Sequence, residues 1–142
     1  MVAAPTLSPL RRVLQIKIVV TLLLWGPPLL VAPDSLIAWM GFPPLEPALF
    51  RRLLGAAYIA LVIGYGNGLA EIAAARYPSG TVAMGIVSNG LAAVLLWGSL
   101  LIGEAQSWAN LAPTYIAVSA IATTALTAAL AACHWRWIGA PR

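Results

Sequence analysis

The sequence predicts an all-α membrane protein: a single polytopic domain over residues 1–142, built as a four-helix bundle with a short interfacial helix in its first loop. Three observations lead there. Hydrophobic residues make up 61% of the chain and charged residues only 8%, against about 25% charged in an ordinary soluble domain. The few charges fall at the borders of uncharged runs. There are four such runs, and a helix needs about 20 residues to cross the roughly 30 Å hydrocarbon core of a bilayer.

The first run, Ile18 to Pro33, lies between Lys17 and Asp34 and is the shortest. It reaches crossing length only when Val13 to Lys17 are added, with Lys17 snorkelling toward the headgroups, so a helix over 13–32 is expected. Trp25-Gly26-Pro27-Pro28 falls inside it. Each proline lacks an N–H and its ring pushes on the preceding turn, which predicts a kink. The carbonyls so freed need partners from neighbouring helices, hydroxyls or water. Arg11, Arg12 and Lys17 ahead of an apolar stretch imitate a secretory leader, but no small-x-small cleavage signature follows, so the stretch reads as transmembrane.

In the loop that follows, Asp34 or Ser35 is placed to cap a short helix, Leu36 to Met40, which Gly41 ends and Pro43-Pro44 keeps from continuing. Leu36, Ile37, Trp39 and Met40 are too apolar for a free loop and belong in the interface or over the end of the bundle. Glu46-Pro47 starts the second helix, expected over 50–71, with Pro47 where its missing N–H is tolerated. The third helix is expected over 81–103, after the Pro78-Ser79-Gly80 break. The fourth is expected over 113–134, opened by Pro113. Trp108, Tyr115, Trp135, Trp137 and Tyr77 fall near predicted boundaries, as an aromatic belt requires.

Four crossings put both chain ends on one side. That side holds Arg11, Arg12, Lys17, Arg76, Arg136 and Arg142, and the other holds only Arg51 and Arg52 with Asp34, Glu46 and Glu104. The basic bias places both termini in the cytoplasm, the membrane being a bacterial inner membrane. Basic residues scattered over helix ends, for a net charge of +4, do not form the basic face of a nucleic-acid reader. The single cysteine, Cys133, excludes an internal disulfide.

Lipid tails are as apolar as leucine, so helices in lipid associate through close packing and hydrogen bonds. Ala56, Ala60, Gly64 and Gly68 form a small-residue stripe on the second helix. Ser119, Thr123 and Thr127 do the same on the fourth, beside Ala120, Thr124, Ala128 and Ala132. Both stripes are expected to face protein, and Gly64→Leu to break the contact. Asn89 and Asn67 read as packing hydrogen-bonders, worth about 1 kcal/mol each.

Chemistry is sparse. Gly64-x-Gly66-x-Gly68 has the wrong spacing for a dinucleotide loop and no strand before it. His134, flanked by Trp135, reads as an interfacial anchor, and Cys133-His134 lacks the second cysteine of a haem attachment. Glu71 and Glu104 sit at opposite membrane faces and cannot act together. Asp34, Glu46, Arg51 and Arg52 form a candidate outer polar cluster in which Arg52 pairs with Asp34 or Glu46 to pin the loop. The alternative gives Arg52 an acidic headgroup or a partner's carboxylate. No charged residue is expected deep in a span, which argues against an ion-coupled transporter. No catalytic, cofactor-binding or metal-binding residue is assigned, and no cofactor is expected.

The run Ala32-Pro33-Asp34-Ser35-Leu36-Ile37-Ala38-Trp39-Met40-Gly41 is followed by Arg51-Arg52-Leu53-Leu54-Gly55-Ala56-Ala57-Tyr58, then Gly64-Tyr65 and Ala75-Arg76-Tyr77-Pro78. It resembles the small four-helix bacterial membrane proteins grouped as DoxX-like, in pattern over about Leu22 to Trp97. That resemblance implies four helices with a first-loop interfacial helix, weight on Arg52 and Gly55, and, as in some relatives, a place as accessory subunit of a membrane redox complex. It carries over no catalytic residue. The expected function is therefore a non-catalytic inner-membrane protein, an accessory subunit of a respiratory or photosynthetic complex, with membrane lipids and other membrane subunits as partners and no nucleic acid. One alternative is binding or transport of a lipid or hydrophobic small molecule in a bundle cavity near Pro27, Tyr58, Asn67 and Asn89. A second is an enzyme on a lipid-like substrate, with Arg52, Asp34 and Glu46 at the outer mouth.

Overall fold

The structure, a computed structural model, describes residues 6–43 and 48–139. Expectations for Pro44, Glu46, Pro47 and Arg142 lie outside the described residues. The fold is an all-α four-helix bundle, with no strand among the described residues. Four helical stretches are long and apolar enough to cross a membrane: Ser8–Val31, Ala48–Ala73, Ser79–Leu101 and Ala112–Ile138. The protein is thus a multi-pass membrane protein. Large apolar side chains such as Leu23, Val94, Leu101 and Ile121 point away from the bundle, as hydrocarbon solvent allows.

The first span has three parts: α1 (Ser8–Val20), a wide π-turn over Thr21–Trp25, and α2 (Gly26–Val31). It begins five residues ahead of the expected residue 13, with Pro9 in the first turn, where its missing N–H is harmless. The π-turn precedes Pro27 and Pro28, and the N–H of Gly26 reaches five residues back to the carbonyl of Thr21. The prolines thus widen one turn of a continuous span.

A short helix α3 (Asp34–Trp39) follows. Pro33 occupies its cap position and no side chain caps it, so the capping role expected of Asp34 or Ser35 is not used. Asp34 stands in its first turn, turned to another task described below. Gly41 ends the segment with φ +89, the left-handed conformation that favours glycine. A Cβ there would fall 2.0 Å from the Ala109 carbonyl oxygen. The remaining helices are α4 (Ala48–Ala73), α5 (Ser79–Leu101) and α6 (Ala112–Ile138), with a single 3-10 turn at Ala105–Ser107.

The span of α1 and α2 pairs along α4, and α5 pairs along α6, giving two hairpins. Backbone bonds tie them at one end: the N–H groups of Leu111 and Ala112 donate to the Met40 carbonyl at 3.0 and 2.8 Å. The Asn110 amide donates to the Trp39 carbonyl at 2.8 Å. We call this the cap end. The opposite, basic end carries the exposed Arg11, Arg12, Arg76 and Arg136. There Tyr77 stacks on Trp137, 4.7 Å between centroids at 7°, and its hydroxyl shares a 2.8 Å hydrogen bond with His134 Nδ1. His134 is thus held within an aromatic cluster.

The inward face of α4 differs from the expected one. Arg51, Gly55, Tyr65 and Gly68 are buried, while Ala56 and Ala60 are exposed and Gly64 is half-buried. Tyr65 takes the interior because its hydroxyl lies 3.3 Å from Ser88 Oγ, which turns the alanines outward. The close approach is at Gly55: a Cβ there would sit 2.6 Å from the Leu30 nitrogen and 3.0 Å from the Gly26 carbonyl oxygen. A Cβ on Gly64 meets only the mobile end of Met84, at 3.0 Å, so the tight contact expected there is at Gly55 instead. Gly68 meets the Thr81 side chain at 2.6 Å.

On α6, Ser119 and Thr123 are buried, Thr127 is half-buried, and Thr124, Ala128 and Ala132 are exposed. These three threonine hydroxyls donate back to carbonyls four residues earlier, Thr123 to Ser119, Thr124 to Ala120 and Thr127 to Thr123, each at 2.8 Å.

Gly55→Ala is expected to force the first span away from α4, at an overpacking cost of about 1–3 kcal/mol. Gly66→Ala, with nothing within 4 Å of its Cβ, is expected to cause no loss. Thermal unfolding of both variants in one detergent checks the contrast.

Candidate functional site

The two hairpins meet closely at the basic end and separate toward the cap end. Near the basic end glycines admit the neighbour: Gly68 receives Thr81, and Gly85 receives Leu130 and the ring of Tyr65. Toward the cap end large rings intervene. Trp25 and Tyr58 stack with centroids 5.7 Å apart. Phe42 packs edge-on against Tyr115 at 5.4 Å and tilted against Trp108 at 5.7 Å. Between these groups lies a cavity of about 410 Å³, within the usual small-ligand range of roughly 300–1,000 Å³.

Its walls are almost wholly apolar. Trp25, Tyr58, Leu96 and Ile116 surround it, and Ile37 and Met40 from the α3 segment close it above. Leu54 on α4 and Leu95 on α5 also line it, yet are 50% and 73% exposed. The gap between those two helices is therefore a side opening toward lipid.

Below the cavity a second space of about 170 Å³ shares Trp25, Leu54, Tyr58, Ala92 and Thr123 in its walls. Its floor is polar: Lys17, Ser88 and Asn89. The expectation that no charge lies deep in a span is corrected here. Because the span starts at Ser8, Lys17 lies nine residues from that end and fourteen from Val31, near the middle of the crossing. It is 2% exposed and cannot snorkel. Its Nζ donates to Asn89 Oδ1 at 2.5 Å and stands 4.7 Å from the Trp25 ring centroid and 5.8 Å from that of Tyr65. The Asn89 amide nitrogen donates to the Gly85 carbonyl at 2.6 Å, which locks the amide oxygen toward Lys17.

Two further polar contacts brace the walls. Pro28 has no N–H to give the Leu24 carbonyl, four residues back, and the Tyr115 hydroxyl on α6 donates to that carbonyl instead. The Trp25 indole donates to Ser119 Oγ at 3.1 Å.

At the mouth the polar cluster takes a different form from the expected one. Arg51, not Arg52, holds the loop: its guanidinium is 2% exposed, donates to Asp34 Oδ1 at 2.6 Å and to the Leu29 carbonyl at 3.0 Å. Arg52, one helical step of about 100° away, is exposed. Glu46 lies outside the described residues. Asp34 is 74% exposed, so the salt link itself is screened and adds little. The bond to Leu29 matters more, since that carbonyl is in the last turn of the span. Of the residues expected to border a cavity, Tyr58 and Asn89 do. Pro28 lines it in place of Pro27, and Asn67 is exposed. Among the described residues no three His, Cys, Asp or Glu side chains gather as a metal site.

No protein family, curated protein or solved structure matches the chain.

Arg51→Ala is expected to destabilise the protein by about 1–2 kcal/mol through the lost carbonyl bond, and Arg52→Ala to change nothing beyond scatter. Tyr115→Phe, which orphans the Leu24 carbonyl in hydrocarbon, is expected to cost about 0.6–2 kcal/mol. Denaturation midpoints in detergent, compared across the three variants, check these values.

Proposed function

We propose that this protein binds a hydrophobic small molecule inside its bundle, which it exchanges sideways with the lipid phase. The observation that carries this reading is the apolar cavity of about 410 Å³ with a polar floor and an opening between Leu54 and Leu95. Well-packed helices in lipid leave no such void between their faces, and an unfilled one forfeits dispersion contacts along its whole lining. Binding is favoured over catalysis because Arg51 is engaged with Asp34 and Trp25 with Ser119, while Lys17 keeps donors for a ligand beyond its bond to Asn89. Enzymatic acid–base work needs titratable groups placed to act together, and no carboxylate among the described residues lies within 4 Å of Lys17. An accessory role in a larger complex, as the DoxX-like resemblance implies, has less support. Its best feature is the outward stripe of Ala56 and Ala60, which offers room for a neighbouring helix.

The reading extends to topology. The exposed Arg11, Arg12, Arg76 and Arg136 mark one end, and at the other Arg51 is buried against the protein while Arg52 is exposed. The positive-inside bias supports a bacterial inner-membrane protein with the basic end in the cytoplasm.

Protein purified in a nonionic detergent is expected to carry a small molecule that organic solvent releases, seen by native mass spectrometry. Ala92→Phe, which fills the junction of the two spaces, is expected to cut occupancy about tenfold, the scale of one lost contact of roughly 1.4 kcal/mol. A wild-type chain that emerges empty and takes up no methyl hexadecanoate would end the binding reading. For topology, in a Cys133→Ser background, an impermeant maleimide added outside intact cells is expected to label Ser107→Cys and not Arg76→Cys.

A further inference from the structure

We infer that the Lys17–Asn89 floor receives the carboxylate of a single-chain amphiphile, a long-chain acyl acid, whose hydrocarbon chain occupies the cavity above. This rests on the binding reading and names its ligand class. The argument starts from an imbalance of charge. An ammonium in the middle of a membrane span is expensive, and such groups ordinarily pair with an anion, a carbonyl or water. Among the described residues no carboxylate lies within 4 Å of Lys17; the one ion pair joins Arg51 to Asp34. An ammonium has three N–H donors. Asn89 Oδ1 accepts one, and the rings of Trp25 and Tyr65 supply only quadrupole attraction.

The site is rigid in the way a headgroup site must be. Asn89 is clamped by its bond to the Gly85 carbonyl, which holds its amide oxygen on Lys17. Lys17 itself lines the space of about 170 Å³, and its two N–H donors beyond the bond to Asn89 are left for the carboxylate oxygens, since the Ser88 hydroxyl is shared with Tyr65 and the Gly85 carbonyl. The other cation in the walls, Arg51, already serves an anion and a carbonyl. So the unmatched charge is at the floor, and an anion entering the cavity is drawn there.

Size and lining choose the rest of the ligand. A space of about 410 Å³ suits a single acyl chain, and its walls of Trp25, Leu96 and Ile116 offer such a chain only apolar contact. The side opening between Leu54 and Leu95 lets the molecule pass from the bilayer without crossing the cap.

The test titrates full-length protein in a nonionic detergent with hexadecanoate and with methyl hexadecanoate, read by tryptophan fluorescence, since Trp25 forms part of both walls. Wild type is expected to bind the acid at least about tenfold more tightly than the ester, a charge-assisted bond against a neutral one. Lys17→Met is expected to bring the acid down to the ester's affinity and leave the ester unchanged. Equal binding of acid and ester by wild type, a comparison that needs no variant, overturns the carboxylate assignment and leaves the cavity reading standing. Undiminished acid binding by Lys17→Met does the same. If neither probe binds, the cavity reading falls and takes this inference with it.

Discussion

Hydrocarbon offers a backbone no partner, so every carbonyl in these spans must find a donor inside the protein. That constraint organises the molecule from Pro27 and Pro28 outward. Two absent N–H groups widen the first span into a π-turn, and one freed carbonyl, that of Leu24, reaches the hydroxyl of Tyr115 on α6. The span's last turn has the same need, and Arg51 meets it at Leu29 from α4. In water both carbonyls would have been solvated and neither long-range contact would have been required. In lipid the first ties one hairpin to the other and the second braces the first span against α4 within its own hairpin.

Side-chain hydroxyls obey the same rule by a cheaper route. Thr123, Thr124 and Thr127 return their protons to carbonyls of their own helix, so a row that looks like interhelical glue is largely self-contained. Ser119 and Thr124 cross as acceptors, for Trp25 and Trp97, and Thr81 crosses as a donor, to the Gly64 carbonyl at 3.5 Å. Thr21 and Ser99 keep buried hydroxyls without a partner among the described residues. Against this background a midspan ammonium held by one amide oxygen keeps two donors unmet.

The four helices were legible in the sequence because charge scarcity and run length have no other solution in a chain this apolar. The short helix of the first loop was legible too, through Gly41 and the apolar Leu36 to Met40. Rotational phase was not. Arg51 and Arg52 are equivalent in the sequence, and so are the Gly55 and Ala56 registers. What decides between them is Tyr65, whose hydroxyl has a partner in Ser88 only if α4 turns Gly55 inward. Lys17 was misplaced for a related reason. Its charge marks a helix end only when the helix has nowhere earlier to begin. Here Pro9 starts it in the first turn, and Arg11 and Arg12 take the interface that Lys17 was expected to occupy.

The cavity follows from a gradient of side-chain size along the bundle. Toward the basic end, Gly68 and Gly85 let Thr81, Leu130 and Tyr65 close on the opposing helix. Toward the cap end, Trp25, Tyr58, Phe42, Trp108 and Tyr115 stack and tilt against one another and hold the hairpins apart. The Met40 bonds to Leu111 and Ala112 prevent those hairpins from splaying further. A bundle wedged open by rings and tied shut at its rim has a void of fixed dimensions. Two of the rings that set its shape, Trp25 and Tyr115, are already hydrogen-bonded, to Ser119 and to the Leu24 carbonyl. Such a void is preorganised, so a ligand entering it loses little to rearrangement of the protein. The glycine-to-aromatic gradient is thus the structural basis of the site, and Lys17, at the level where the gradient turns, is where its apolar and polar halves meet.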